Sequence, residues 1–406
     1  MDSMITAAAR ALSSGDPLGA LNRVALRNDA PALALRGIAM AQLGDLDRAK
    51  TLLRGAARAF GTREAVARAR CVVAEAEIAL VTRDLNWPTK ALDAARDTLE
   101  RAGDRVNAAH ARHLEARRLL LTGRVDAAER LLSDLDPSPF PPASRAAYEL
   151  VMAGIAMRRI RAASAMQSLV RARRAARAAR ILTLLAEIDD AAQALASPAA
   201  RLVSRGEQRM LTLADVEAVL ESGALVVDAC RNVVRMGTHA MPLATRPILF
   251  MLARGLAESW PEDASRDALV ERAFGPKHAD ESHRARLRVE MGRLRAALAP
   301  IAEIGATRGG FALKPRGGAD VVLLAHPVEE RHAEVLALLA DGESWSSSGL
   351  ALALSSSQRS VQRALDALAG AGKVRSFGEG RARRWMTPPV AGFTTTLLLP
   401  TSFGID

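Results

Sequence analysis

The chain has 406 residues, with 56 Lys and Arg against 45 Asp and Glu, a formal net charge of +11, 49% hydrophobic residues and 3% aromatic ones. That length suggests two or three domains, and the apolar fraction is ample to fill their cores. No stretch approaches the roughly 18 apolar residues of a membrane span, and the start MDSMITAAARALSSGD lacks the basic region and apolar run of a signal peptide, so a cytoplasmic protein is expected.

With aromatics scarce, the cores must be built from Ala, Leu and Val, which favours closely packed helices. The basic excess suits a polyanionic partner. It is carried by 51 Arg and 5 Lys, a skew that coding bias also produces. Cys71 and Cys230 lie far apart in apolar contexts and read as two reduced, buried thiols.

Residues 1–200 read as helix after helix, without strand signals. Breaks fall at Ser14–Gly15–Asp16, Gly44–Asp45, Gly61, Asn86–Trp87–Pro88, Gly103, Gly123 and the proline-rich 137–142. In LALRGIAMAQLGDLDRAKTLLRGAARAFG, small residues stand at Gly37, Gly44, Ala49 and Ala56, and larger ones at Leu33, Met40 and Leu53. Weaker copies run through Ala8, Gly15, Ala20 and Val24, and through Ala116, Gly123, Ala128 and Leu132. This pattern resembles a degenerate tetratricopeptide array, although the signature Trp, Tyr and Pro positions are missing and the copies are unevenly spaced. The resemblance implies an α-solenoid over 1–200 that senses a protein or peptide partner, or makes a homodimer.

The end of that region, MRRIRAASAMQSLVRARRAARAAR at 157–180, holds eight arginines and no acidic residue. It reads as one basic helix. A solvated connector, an auxiliary nucleic-acid contact and a docking face for an acidic partner all fit it.

After about residue 200, strands and glycines appear. ALVVDACRNVVRMGTHAMPL, from 224, reads as two β-rich runs around a tight turn. TRPILFMLARGLAESW follows as a helix capped by Thr245, with Ile248, Met251, Leu252 and Leu256 inward. SRDALVERAFG is a short helix from Ser265 to Gly275. ESHRARLRVEMGRLRAAL, 281–298, is a long helix with a keel of Leu287, Met291, Leu294 and Leu298. Its far side carries Ser282, Ala285, Val289, Gly292 and Ala296, flanked by Arg286 and Arg293 on one shoulder and Arg288 and Arg295 on the other. IAEIGATRGGFALKP closes the series as a hairpin around Arg308–Gly309–Gly310.

This order, over roughly 222–316, resembles the OmpR-type winged helix-turn-helix of bacterial response regulators. The resemblance is carried by Arg246–Pro247, Ser265–Arg266–Asp267–Ala268–Leu269–Val270, Phe274–Gly275, Leu287, Val289, Met291, Arg293–Leu294–Arg295, Leu298 and Gly309–Gly310–Phe311. It implies a third helix in the major groove of DNA. Ala285, Arg286 and Val289, with Ser282 beside them, would then meet base edges, and Arg288, Arg293 and Arg295 phosphates. Arg308, at the wing tip, would enter the minor groove. Glu290 departs from the pattern, standing where the family commonly has a basic or neutral residue.

A second such pattern lies in 319–406. VEERHAEVLALLADG, SSSGLALAL and SSQRSVQRALDALAGAG read as three helices. The first turns Val335, Leu336, Leu338 and Leu339 inward, and the third Val361, Ala364, Leu365 and Leu368. Ser357, Gln358, Arg359, Gln362 and Arg363 face out as a polar set suited to bases. KVRSFGEGRARRW is a hairpin around Gly378–Glu379–Gly380 bearing Arg375, Arg381, Arg383 and Arg384. Broadly, this resembles MarR- or GntR-like winged helices. The last stretch, GFTTTLLLPTSFGID, reads as a further strand.

No catalytic or metal signature stands out. AGAGKV at 369–374 has Ala367 where a phosphate loop needs its first glycine. His278 and His283 flank Asp280–Glu281 without zinc-type spacing, and His110 and His113 share a helix face without a third ligand. The expected architecture is therefore mainly α with small β-wings, divided into 1–200, 201–318 and 319–406. The expected role is a transcriptional regulator binding double-stranded DNA, with no enzymatic activity, cofactor or metal. The rival reading is a helical scaffold whose winged modules bind proteins.

Overall fold

Aspartates set the starts of the N-terminal helices. In the computed structural model, α1 (Ser3–Ser13), α2 (Pro17–Val24), α3 (Ala30–Gln42) and α4 (Leu46–Phe60) follow Asp2, Asp16, Asp29 and Asp45. Each carboxylate accepts a backbone N–H of the first turn, satisfying a donor that the helix leaves unpaired. Asp104 does the same for α7 (Arg105–Leu121). Gly44 and Gly103 precede two of these caps with φ of 89° and 76°. That conformation turns the Asp45 N–H back to the Met40 carbonyl and the Asp104 N–H back to that of Leu99. A Gly-Asp pair thus ends one helix and starts the next.

The described residues are 2–386, except 83, 85–86, 123, 134, 139, 181, 244, 275–280, 328–331, 340–343, 355, 372 and 381–382. Among them the fold is mainly helical with smaller sheets. The helical region continues with α5 (Ala65–Val81), α6 (Thr89–Arg101), α8 (Val125–Ser133), α9 (Pro142–Arg158), α10 (Ala162–Ala179) and α11 (Leu182–Ala196). From α1 to α9 each helix packs on the next, and the odd-numbered ones also pack on each other in a row. The small residues sit where close packing needs them. Ala8, Ala20, Ala49, Ala56, Ala116 and Ala128 are fully buried, and a Cβ on Gly37 would come within 2.8 Å of Leu53 Cγ. Residues 157–180 do not form one helix. The chain breaks after Arg158, with Ile160 at a φ of 56°, before α10 begins.

Contacts divide the chain into two compact units. One comprises Met1–Arg158, Ser164–Ala192 and the described part of Glu334–Asp406; the other comprises Arg159–Ala163 and Gln193–Ala333. The expected boundary at 318/319 therefore moves, because the strand that follows it belongs to the sheet of the second unit.

In that second unit, β1 (Ala200–Ser204), β2 (Glu207–Leu211) and α12 (Leu213–Glu221) precede β3 (Leu225–Asp228), β4 (Val233–Met236) and β5 (His239–Pro242). Next come α13 (Pro247–Ser259), β6 (Ala264–Ser265), α14 (Arg266–Phe274), α15 (Glu281–Leu298), β7 (Ala302–Ala306), β8 (Gly310–Pro315) and β9 (Val321–Ala325). The larger sheet has the order β2-β1-β9-β3-β4-β5, and the smaller β6-β8-β7. β9 lies in the middle, parallel to β3 and antiparallel to β1, with all five residues buried. A strand covered on both faces reads as a continuous apolar run, which is why VVLLA carries no alternation. The expected two-run hairpin from 224 is a three-strand meander, since Gly237 turns the chain once more into β5. Leu225, Leu243, Leu252, Leu256, Leu269, Leu287, Met291, Leu294 and Phe311 share one core beneath the three helices.

The remaining elements are α16 (Ala333–Leu339), α17 (Ser347–Ala353), α18 (Gln358–Gly370), β10 (Arg375–Phe377) and β11 (Arg384–Met386). Trp345 and Trp385, both fully buried, exchange two backbone hydrogen bonds of 2.7 Å that tie the hairpin to the start of α17. Val335, Leu350, Val361, Leu365 and Trp385 belong to the same apolar cluster as Val73, Leu80, Leu99 and Leu114 of α5–α7. The expected strand at 392–406 lies outside the described residues.

Candidate nucleic-acid interface

α15 spans 281–298, as its apolar spacing indicates. Leu287, Met291, Leu294 and Leu298 are each at most 2% exposed. The opposite face is in solvent: Ser282, Ala285, Gly292 and Ala296 are exposed, and Val289 is 56% exposed. Arg286, Arg288, Arg293 and Arg295 are exposed along its flanks.

The four arginines are not equivalent. The Arg286 guanidinium lies over the ring of Phe274, 4.7 Å from its centroid. Stacking of this kind restrains the side chain while leaving its edge donors available. Arg293 Nη1 donates to Glu290 Oε1 at 2.9 Å. The sequence pattern marked Glu290 as a departure, and here it partly neutralises its neighbour. Arg295 Nε donates to the Ile304 carbonyl at 2.7 Å and its guanidinium lies over Phe311. Arg295 is therefore first of all a tether between the helix and the β7–β8 hairpin. Arg288 also engages other groups of the chain.

Arg266, at the start of α14, completes this tether. Its two terminal nitrogens donate to the Arg308 and Thr307 carbonyls at 3.0 and 2.7 Å, and its guanidinium covers Phe311. Two guanidiniums thus approach the Phe311 ring. The tip of the hairpin closes through Thr307, which accepts from the Gly310 N–H through its hydroxyl and donates its own N–H to the Gly310 carbonyl. Gly310 is required by close approach, since a Cβ there would meet the Ala264 carbonyl oxygen at 1.8 Å. The result holds the exposed Arg308 side chain at the end of a fixed loop. Sequence reasoning did not place Arg266 or Phe274 among the functional residues, although both stood in the motif that suggested the fold.

α13 begins at Pro247 with Arg246 in the capping position and no side-chain cap. Thr245 does not cap it, but Ser265 does cap α14, accepting the Ala268 N–H. The first turn of α13 and residues Glu290 and Arg293 line an open cleft of about 520 Å³.

On α18 the outward set divides. Ser357 caps the helix, accepting the Ser360 N–H. Gln358 donates to Ser347 Oγ at 3.1 Å and Gln362 to Asp366 Oδ1 at 2.9 Å. Arg359 and Arg363 project into solvent. In the following hairpin Arg383 lies 4.5 Å over the Trp385 ring and donates to Ser376 Oγ, while Arg384 is half-buried. Arg381 is outside the described residues.

Other sequence candidates carry little chemistry. His110 Nε2 is 3.0 Å from Glu77 Oε2 in the interior of the helical unit. Both ring nitrogens of His113 are buried without a hydrogen-bond partner among the described residues, and burial holds its pKa well below the usual imidazole range. Burial pushes the Cys71 and Cys230 thiols up to about 12. Among the described residues no group of three His, Cys, Asp or Glu is placed to hold a metal ion, and no helix is long and apolar enough to cross a membrane. His278 and Asp280 lie outside the described residues.

No family model, no curated protein and no solved structure matches the chain.

Proposed function

We propose that this chain is a sequence-specific double-stranded DNA-binding transcriptional regulator, with a tetratricopeptide-like helical region and two winged helix-turn-helix modules. The observation that carries this reading is the presented face of α15. Four leucine or methionine side chains anchor the helix, its outer face is small, and exposed arginines flank it. A cylinder of that profile matches a groove about 12 Å wide lined with phosphates. The order β3-β4-β5, α13, α14, α15, β7-β8 resembles the OmpR type. In that arrangement Ala285, Arg286 and Val289 read base edges, Arg288 and Arg293 hold phosphates, and Arg308 enters the minor groove. α18, through Arg359 and Arg363, and the β10–β11 hairpin serve a second duplex contact. The helical region takes the place of a phosphorylated receiver and senses a protein or peptide or forms a homodimer. In this reading the protein acts in the cytoplasm and performs no chemistry of its own.

The direct test is capture of genomic fragments on the protein at moderate salt, followed by sequencing. Enrichment of a common sequence, lost in the Arg286→Ala/Arg293→Ala double variant, supports the proposal. Fragments with no shared sequence, retained equally by both proteins, would refute it.

One observation favours a second reading. The α16–α18 segment shares an apolar cluster with α5–α7, so this module already engages a protein surface. Under a scaffold reading the double variant captures protein partners unchanged and neither protein retains DNA.

A further inference from the structure

α10 carries an arginine stripe that the proposed DNA contacts leave unused. Its inner face is clean: Ala165, Ser168, Leu169, Ala172 and Ala176 are buried. Two of its arginines hold it in place, Arg171 through Glu149 at 2.8 Å and Arg173 through Asp189. Arg174, Arg177 and Arg180 are exposed and have no carboxylate partner among the described residues. Arg174 and Arg177 lie about one turn apart on α10, and Arg180, with a φ of 57°, is the first residue past its end. The helix contains no acidic residue at all.

The ordinary account of such residues is a solvated C-terminal turn, where cations offset the helix dipole by roughly 0.3–1 kcal/mol each. That explains one or two arginines near the end of α10. It does not explain the absence of any Asp or Glu along 24 residues holding eight arginines, because a solvated face gains from alternating signs. A protein interface would want an aromatic anchor at its centre, and the exposed large apolar side chains nearby, Met166, Val170 and Leu182, include no aromatic one. Closely spaced guanidiniums without an anchor match a polyanion that bears about one charge per 1.7 Å of its axis.

We infer that the C-terminal end of α10 is a further, sequence-independent DNA contact, in which Arg174 and Arg177 of the helix and Arg180 just past it bind backbone phosphates of the duplex. This rests on the DNA-binding reading and extends it to the helical unit. Each phosphate neutralised releases counterions, so the contact is read from the salt dependence of affinity.

The experiment measures binding of the full chain to a 40-base-pair duplex between 50 and 300 mM salt. The Arg174→Ala/Arg177→Ala/Arg180→Ala variant is expected to flatten the log–log slope by about 2.7, three contacts at about 0.9 each. The corresponding triple lysine variant should keep most of it. An unchanged slope in the alanine variant, while Arg286→Ala/Arg293→Ala still reduces binding, overturns this inference and leaves the proposed function standing. No duplex binding by the unaltered chain overturns both. Should the alanine variant fail to fold, arginine modification by phenylglyoxal on the unaltered chain decides. Duplex is expected to protect residues 174, 177 and 180 at least threefold, and equal modification with and without duplex overturns the inference.

Discussion

Glu290→Gln separates a DNA-reading face from a merely solvated one. Glu290 is 12% exposed at its side chain, whereas its partner Arg293 is 65% exposed, and the two are 2.9 Å apart within one turn of α15. The amide keeps the shape and can still accept one hydrogen bond, but it no longer cancels the guanidinium charge. Folding stability should change little, because pairs of this kind on helices contribute roughly 0.3–0.5 kcal/mol. DNA binding should change more. If Arg293 gains one full phosphate contact, the log–log salt slope steepens by about 0.9, which at 0.15 M salt corresponds to about fivefold tighter binding. Fluorescence anisotropy with a captured duplex, titrated from 50 to 300 mM salt, measures both quantities. Binding unchanged in affinity and slope, with a folded variant, would show that this face does not meet phosphates. Weaker binding confined to duplexes with a cytosine at one position would instead mean that Glu290 accepts from a base amine, as a carboxylate in the major groove can.

Three further outcomes follow from the packing. Gly310→Ala should cost about 1–3 kcal/mol, since its Cβ overlaps the Ala264 carbonyl in backbone that cannot yield without parting β6 from β8; urea unfolding measures this, and DNA affinity should fall with it. Gly37→Ala gains about 1 kcal/mol of helix propensity but forces a Cβ against Leu53 Cγ and the Ala49 carbonyl, so a net loss of about 1–2 kcal/mol is expected in the same assay, and a stabilised variant would refute the close packing of α3 on α4. His113 stays neutral in the fold because burial lowers its pKa. The unfolded chain binds a proton there as pH drops below the ordinary value of 6.5, so the stability present above pH 6.5 is lost progressively as pH falls toward the depressed folded value. His113→Leu should remove that slope, making the variant more stable than the unaltered protein at pH 5 by a larger margin than at pH 7.5; equal margins at both pH values would contradict the assignment.

Local signals made much of this fold legible. The keel of α15 fixed its limits because its spacing fits one helical face and Leu298 precedes Pro300. The turn at 308–310 was marked by paired glycines, and the Gly-Asp pairs announced the helix ends of the first region. What escaped depended on distant partners. VVLLA at 321–325 is a strand only because β1 and β3 lie on either side of it, and β6 is two residues long, visible solely through its pairing with β8. The break at 159–161 carries no Gly or Pro, since Ile160 takes positive φ without either. At the candidate interface, burial and exposure followed from periodicity, whereas the duties of single arginines did not. Arg295 and Arg266 bind hairpin carbonyls across Phe311, and only the tertiary fold brings those groups together.

The most direct measurement places a probe on the outer face of α15. Val289→Cys introduces a reactive thiol at a site that is 56% exposed in valine, while Cys71 and Cys230, with pKa values raised to about 12, stay largely unreactive near neutral pH. A thiol-linked photoprobe at position 289, irradiated with the captured duplex, should form adducts on major-groove base edges at one or two adjacent positions of the shared sequence. Adducts on protein alone, or on DNA without positional preference, would contradict the claim that this helix reads the major groove.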